Sequence, residues 1–167
     1  ANILAFQPDE KIAQVMQIKD YSVAPYLALA TARGQVKKTR LTDFDSPRQG
    51  GVIAINLRDE DELVGAALID ADSDLLLVTR KAMSIRFKAD DATLRPMGRA
   101  TEGVRGIALT EDDSLLSMIV VEEGVDVLVA TERGFAKRTG IENYPVQGRG
   151  GKGVLTADPK ARKGALV

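Results

Sequence analysis

One nine-residue phrase occurs three times along this chain, and nothing else in the sequence limits the fold so tightly. It reads Thr31-Ala32-Arg33-Gly34-Gln35-Val36-Lys37-Lys38-Thr39, then Thr79-Arg80-Lys81-Ala82-Met83-Ser84-Ile85-Arg86-Phe87, then Thr131-Glu132-Arg133-Gly134-Phe135-Ala136-Lys137-Arg138-Thr139. The spacing is roughly 50 residues, the period of a propeller blade or solenoid unit. A unit of that kind cannot bury its apolar face alone and must stack on its neighbours.

Each phrase lies in a hairpin pattern. Tyr26–Thr31 and Gln35–Arg40 flank Ala32-Arg33-Gly34, a three-residue loop whose last position calls for left-handed backbone. Val127–Thr131 and Phe135–Thr139 repeat it around Glu132-Arg133-Gly134. Leu75–Thr79 and Met83–Lys88 repeat it with Ala82 in the glycine position, where a left-handed alanine would cost ~1 kcal/mol. Loops holding Pro47, Pro96 and Pro145 come next, away from any ladder hydrogen bond. A third strand is predicted over Val52–Leu57, Ile107–Thr110 and Val154–Ala157, and a fourth, after an acidic turn, over Leu63–Ile69 and Leu115–Val121. Four short strands per repeat describe an all-β, propeller-like fold. The repeats run 1–25 (partial), 26–74, 75–126 and 127–167 (partial), with Ile3–Phe6 and Ile12–Ile18 as third and fourth strands of the first, and Ala165-Leu166-Val167 opening the fourth strand of the last. About three repeats are too few for a usual ring, so the chain is expected to be part of a larger domain.

The 167 residues contain no cysteine and no histidine. That removes disulfides, thiolate ligands and the commonest general base, and it argues against independent catalysis. No apolar run approaches the ~20 residues that span a membrane, and the first residues lack a basic signal-peptide start, so a cytoplasmic location is expected.

Net charge is −1, yet the charges are segregated. Bases gather in the repeated phrase: Arg33, Lys37, Lys38 and Arg40; Arg80, Lys81, Arg86 and Lys88; Arg133, Lys137 and Arg138. Acids gather at Asp59–Glu62, Asp70, Asp72, Asp74, Glu111–Asp113, Glu122 and Glu123. Screening over ~8–10 Å lets a basic stripe bind a polyanion on a nearly neutral protein. Strand alternation puts Lys38, Arg86 and Arg138 on one face, so these form the expected DNA-facing row, with Lys37 and Lys137 on the opposite face. Asp59–Glu62 reads as a solvated turn ahead of a divalent-cation site. Phe44, Phe87, Phe135 and Tyr144 read as core ahead of base-stacking platforms.

After the third phrase comes Gln147-Gly148-Arg149-Gly150-Gly151-Lys152-Gly153. Four glycines let backbone amides approach an anion, and Arg149 and Lys152 add charge. The spacing is not that of a P-loop. Arg48-Gln49-Gly50-Gly51 and Arg95–Gly106, with Arg99, Arg105 and Gly106, are weaker versions.

With this repeat and this box, the chain resembles part of the C-terminal domain of the bacterial DNA gyrase A protein. The resemblance implies a six-bladed β-pinwheel marked by a Gln-Arg-Arg-Gly-Gly-Lys-Gly box. Gln147, Arg149, Gly150, Gly151, Lys152 and Gly153 match it, and Gly148 departs where arginine is usual. The family's box lies in its first blade, whereas here at least two repeats precede it, so Gln147–Gly153 is either the principal box or a second, degenerate copy. The phrase Val-Ala-Thr-x-x-Gly-x-x-Lys-Arg-Thr at 129–139 is also typical of the family. The resemblance further implies a non-catalytic domain that wraps double-stranded DNA around a basic outer rim and so directs ATP-dependent negative supercoiling. ATP, Mg²⁺ and DNA cleavage would belong to the rest of a tetramer of two gyrase A and two gyrase B proteins, in the bacterial cytoplasm on the nucleoid. Two rival readings are the related domain of topoisomerase IV and a protein-interaction propeller.

Overall fold

The computed structural model describes residues 8, 10–48, 50–158 and 163–167. Ile3–Phe6 and Gln49 lie outside these residues. Ten strands appear among those described: β1 (Tyr26–Thr31), β2 (Gln35–Arg40), β3 (Leu63–Ile69), β4 (Asp74–Thr79), β5 (Met83–Lys88), β6 (Val104–Arg105), β7 (Leu115–Val120), β8 (Asp126–Ala130), β9 (Ala136–Gly140) and β10 (Val154–Leu155). They form two four-stranded antiparallel sheets, ordered β3-β1-β2-β6 and β7-β4-β5-β10, and a hairpin, β8-β9.

The all-β blades of the sequence reading are present, with one change of membership. The third strand of each repeat leaves its own blade and closes the outer edge of the blade before it. β6, from the second repeat, pairs with β2 of the first, and β10 pairs with β5 in the same way. This strand is only two residues long, against the four or more predicted. Ile107–Thr110 and Val52–Leu57 are not strands, and neither is Ile12–Ile18. For Val52–Leu57 the reason is direct: its equivalents pair with a preceding second strand, and no such strand stands before β2 among the described residues.

The hairpin loops are as the sequence predicts. Gly34 and Gly134 have φ of 77° and 78°, and Ala82 takes the same turn at 65°. The leading threonine of each phrase ties its loop at both ends. Its carbonyl accepts from the N–H of Gly34, Ala82 or Gly134. Its hydroxyl accepts from the N–H of Gln35, Met83 or Phe135.

Blades stack face to face, so an interior strand is buried on both sides. In β4, Leu75 and Leu77 join Ala28, Ala30 and Val36 in the core between the first two blades. Leu76 and Val78 turn the other way, into a second core with Val127, Val129, Ile141 and Tyr144. A third cluster, around Leu27, Leu29 and Leu41, covers the first blade's outer face. In β8 only one face is covered: Val127 and Val129 are buried, while Leu128 is 70% exposed. At the edge away from β6 and β10, β3 lies against β7, and a Cβ on Gly65 would stand 3.1 Å from Met118 Cβ. The third-strand edges therefore face outward.

Candidate nucleic-acid interface

Lys38, Arg86 and Arg138 occupy one register position, opposite Ala28, Leu76 and Leu128. Their surroundings correct the reading of this row as a DNA-facing stripe. Lys38 is fully buried. Its Nζ donates to Ala89 O at 2.6 Å and Asp91 Oδ1 at 2.9 Å, and it stands 4.5 Å from the Tyr26 ring centre. Arg86 pairs with Asp74 at 2.7 Å and donates to Ile141 O at 3.3 Å and Tyr144 O at 3.5 Å. Ala89 and Ile141 hold the same position in successive repeats. The row is thus a latch by which each blade grips the carbonyls of the next. Strand alternation located the row; it did not reveal that the next blade covers it.

Arg138 grips no carbonyl among the described residues. It is 76% exposed and pairs with Asp126 at 3.3 Å.

Lys37 is also fully buried, which takes it off the surface. Its ammonium is ringed by carbonyls, donating to Ala54 O at 2.7 Å, to Arg99 O and to Thr101 O. Burial, with a smaller push from the Arg99 guanidinium, lowers its pKa to about 8. Its equivalent Lys137 is exposed and, among the described residues, makes only the first of these bonds, to Thr156 O at 3.2 Å.

Charge segregation also ends at the loop tips. Arg33 pairs with Glu60 at 3.2 Å, and Lys81 pairs with Asp112. The N–H groups of Arg33 and Lys81 donate to Asp61 and Asp113 carboxylates. The Lys81 ammonium holds the Asp112 carboxyl below its ordinary range. These two acidic turns therefore fold onto the basic tips of the hairpins before them. Arg40, Arg80, Lys88 and Arg133 are exposed, with no ion pair among the described residues. Phe87 and Tyr144 are core residues, Phe44 packs on the first blade, and Phe135 is exposed.

The box runs along the outer edge, over the second blade. Gln147 N–H donates to Arg86 O at 2.7 Å, and Gly150 N–H donates to Gly106 O at 2.7 Å. Arg149 is half-buried and spent on carbonyls, Thr93 O at 2.9 Å and Arg105 O at 2.5 Å. Gly153 has φ 76° and sits so close over Ser84 O that any side chain would collide with it. Lys152 is exposed and unpaired among the described residues. Arg105, which the basic phrases do not include although it lies in the weaker 95–106 version of the box, runs against Gly150 and is exposed. Arg95 and Arg149 line a neighbouring groove of about 370 Å³. The cations left free thus lie on outer strands and loops, where a large anion could reach them.

Known proteins share this geometry. The DNA gyrase C-terminal domain (beta-propeller) family matches residues 25–70, 73–122 and 126–166. The chain belongs to that family. The DNA gyrase A protein of Mycobacterium bovis (strain BCG / Pasteur 1173P2) is 65% identical over 167 residues, covering all of this chain and 20% of that protein. The DNA gyrase A protein of Streptomyces coelicolor is 59% identical over 172 residues, again covering 20% of that protein. The chain therefore spans about a fifth of the length of these relatives. Among solved structures, the C-terminal domain of DNA topoisomerase IV superposes with a TM-score of 0.88 at 28% identity, over 98% of this chain and 51% of that one. The DNA gyrase A C-terminal domain gives 0.83 at 27%, over 98% and 54%. Among the described residues of this pinwheel domain, no group of three or more acidic, histidine or cysteine side chains is placed to hold a metal, and no helix is long and apolar enough to cross a membrane.

Proposed function

We propose that this domain binds double-stranded DNA along the outer edges of its blades and serves as the non-catalytic wrapping module of a gyrase A protein. The observation that carries this reading is the box edge, where Lys152 and Arg105 are exposed, without acidic partners among the described residues, beside a glycine-rich backbone. Arg40, Lys88, Arg133, Lys137 and Arg138 are further exposed phosphate-contact candidates. Arg33, Arg80 and Lys81 lie at the hairpin tips, two of them already paired with acids. Lys37, Lys38 and Arg86 are withdrawn from this role.

Wrapping must repay the elastic cost of the bend, ~1–6 kcal/mol for 40–90° over a short site. Counterion release at recurring cations can supply that with little sequence preference. Cleavage, ATP and Mg²⁺ belong to the rest of the enzyme, a tetramer of two gyrase A and two gyrase B proteins on the bacterial nucleoid. Residues 1–167 act as one DNA-binding unit divided into repeats at 26, 75 and 127.

The test is topology-resolved wrapping. The protein is bound to nicked plasmid, the nick is sealed, and linking number is read after deproteinisation. A positive shift that fades with salt is expected, and it is reduced in Lys152→Glu. The high TM-score to the topoisomerase IV domain favours a second reading, binding with weaker wrapping. Binding with no linking-number shift would select that reading, and no binding would reject both.

A further inference from the structure

The groove of about 370 Å³ lies on the outer edge where the first two blades meet. Thr101 and Val104 of the first blade's edge line one part of it, residues 91–97 another, and Arg149 of the box a third. A local feature of the sequence shapes it. Residues 89–103, between β5 and β6, make a loop two residues longer than 141–153 and four longer than 41–51. The shorter loops begin in single 3-10 turns at Leu41–Phe44 and Ile141–Asn143, whereas this one makes a wider turn at 91–93. Asp90 holds that turn. Its carboxylate accepts from Thr93 N–H at 2.8 Å, and its carbonyl accepts from Leu94 N–H at 2.7 Å. Leu94 is buried and anchors the far end.

The turn presents Thr93 to the box, and Thr93 O accepts from Arg149 Nε at 2.9 Å. Arg149 Nη1 donates to Arg105 O, so two of the three guanidinium nitrogens are fixed. Nη2 has no bond among the described residues. Arg99, at the same position of the first joint, keeps one such bond among the described residues, to Ile53 O at 3.5 Å. A guanidinium already held on two carbonyls loses little freedom when an anion meets its open edge. Arg95 lines the same groove, exposed and with no ion pair among the described residues. Asp91, the acid among the lining residues, is matched by the buried Lys38 ammonium at 2.9 Å. Met97 and Val104 add half-buried apolar surface. Two guanidiniums beside apolar surface suit a phosphate carried on a sugar better than a fully hydrated inorganic ion.

We propose that this groove seats one phosphodiester of a DNA strand passing from the first blade to the second, with Arg95 and Arg149 on the phosphate oxygens and Met97 and Val104 against the deoxyribose. The inference rests on the proposed DNA-binding reading and adds a seat that the basic phrases do not contain. It belongs to one joint only. Counting back from the N–H that ties each loop to the strand below, the third repeat has Pro145 where the second has Arg95. The contact follows from loop length at this joint and not from the repeat.

Arginine modification by phenylglyoxal in the full-length protein, read by peptide mass spectrometry, tests the seat. Free Arg95 should react readily, and saturating duplex at low salt should protect it several-fold. Pyrophosphate and a free deoxynucleotide at equal phosphate concentration should not. Arg95→Glu should weaken duplex binding about three- to tenfold and lower the logarithmic salt slope by about 1. The urea midpoint should stay in place, because the side chain has no ion pair to lose. Protection by pyrophosphate or the free nucleotide without protection by duplex would make the groove a free-phosphate site and overturn its assignment to DNA. If duplex binds and responds to Lys152→Glu while Arg95 stays reactive and Arg95→Glu binds normally, the seat is overturned and the proposed function stands. If duplex does not bind at all, both fall.

Discussion

Loops 97–103 and 147–153 follow one backbone course and carry different charges. Each gives an N–H to the second strand of the preceding blade, Met97 to Lys38 O and Gln147 to Arg86 O. Each ends on a left-handed glycine and enters a two-residue outer strand. Where the box has the free Lys152, the earlier loop has Glu102, paired with Arg58 at 2.8 Å. Beneath the box lies Ile85, and beneath the earlier loop lies the ammonium of Lys37. The comparison separates two demands. Glycine and backbone bonds at the joint are required by the strand exchange between blades. Charge at the exposed positions is not required by it, and that is where binding can be specified.

The largest effect should come from the joint itself. Gly153→Ala combines a left-handed alanine with a collision against Ser84 O, and is expected to cost roughly 3–5 kcal/mol. Gly148→Ala, in the same box with nothing within 4 Å, should stay within about 0.5 kcal/mol. Urea unfolding measures both. Equal midpoints would show that the box does not clamp the blade before it.

The latch row gives the next contrast. Lys38→Met and Arg86→Met leave buried carbonyls, and in each case an acidic partner, without their cation, at about 2–4 kcal/mol each. Arg138→Met, at the same register but exposed, should cost less than about 1 kcal/mol. A flat series across the three would remove the latch.

Much of this was legible in the sequence, and the misses share one cause. Hairpin boundaries, the turn at Ala82 and the register of the basic row follow from local chemistry and strand alternation. What periodicity cannot state is which blade a segment joins. Val104–Arg105 belongs to the preceding sheet, and Lys38 points into the following one, because both are decided by stacking. In the same way, Asp61 and Asp113 are distant in sequence from the tips they neutralise. Alternating blocks of charge along the chain therefore did not become separate surfaces.

Lys37 sharpens the difference between the loops through pH. Its folded pKa of about 8 is below the ordinary 10.5, so between these values the unfolded chain binds more protons. Stability should therefore rise with pH across that window, and the penalty should be full below about pH 8. Lys37→Met removes this term, so the wild-type minus variant difference should climb by about 1–3 kcal/mol from pH 8 to 10.5. The second joint, which has Ile85 in place of lysine, supplies no such slope. A pH-independent difference would mean the carbonyl ring holds the ammonium without penalty.

The smallest effect tests whether charge on these loops is the binding determinant. Glu102→Lys gives the earlier loop the box's charge and also releases Arg58 from its partner. The pair is half-exposed, so stability should change by less than about 1 kcal/mol. DNA affinity at low salt should rise about three- to tenfold, equivalent to roughly 1 kcal/mol, and the logarithmic salt slope should steepen by about 1–2. Lys152→Glu should move both quantities the other way. Anisotropy titrations on duplexes of unrelated sequence at several salt concentrations would read both. The two variants lie on successive blades at one structural position, so a DNA path along the outer edges must respond to both with opposite sign. If only Lys152→Glu responds, the path touches the box and leaves the ring before the earlier loop. If neither responds, phosphates run elsewhere, and Arg40 and Lys88 at the ends of β2 and β5 become the cations to test.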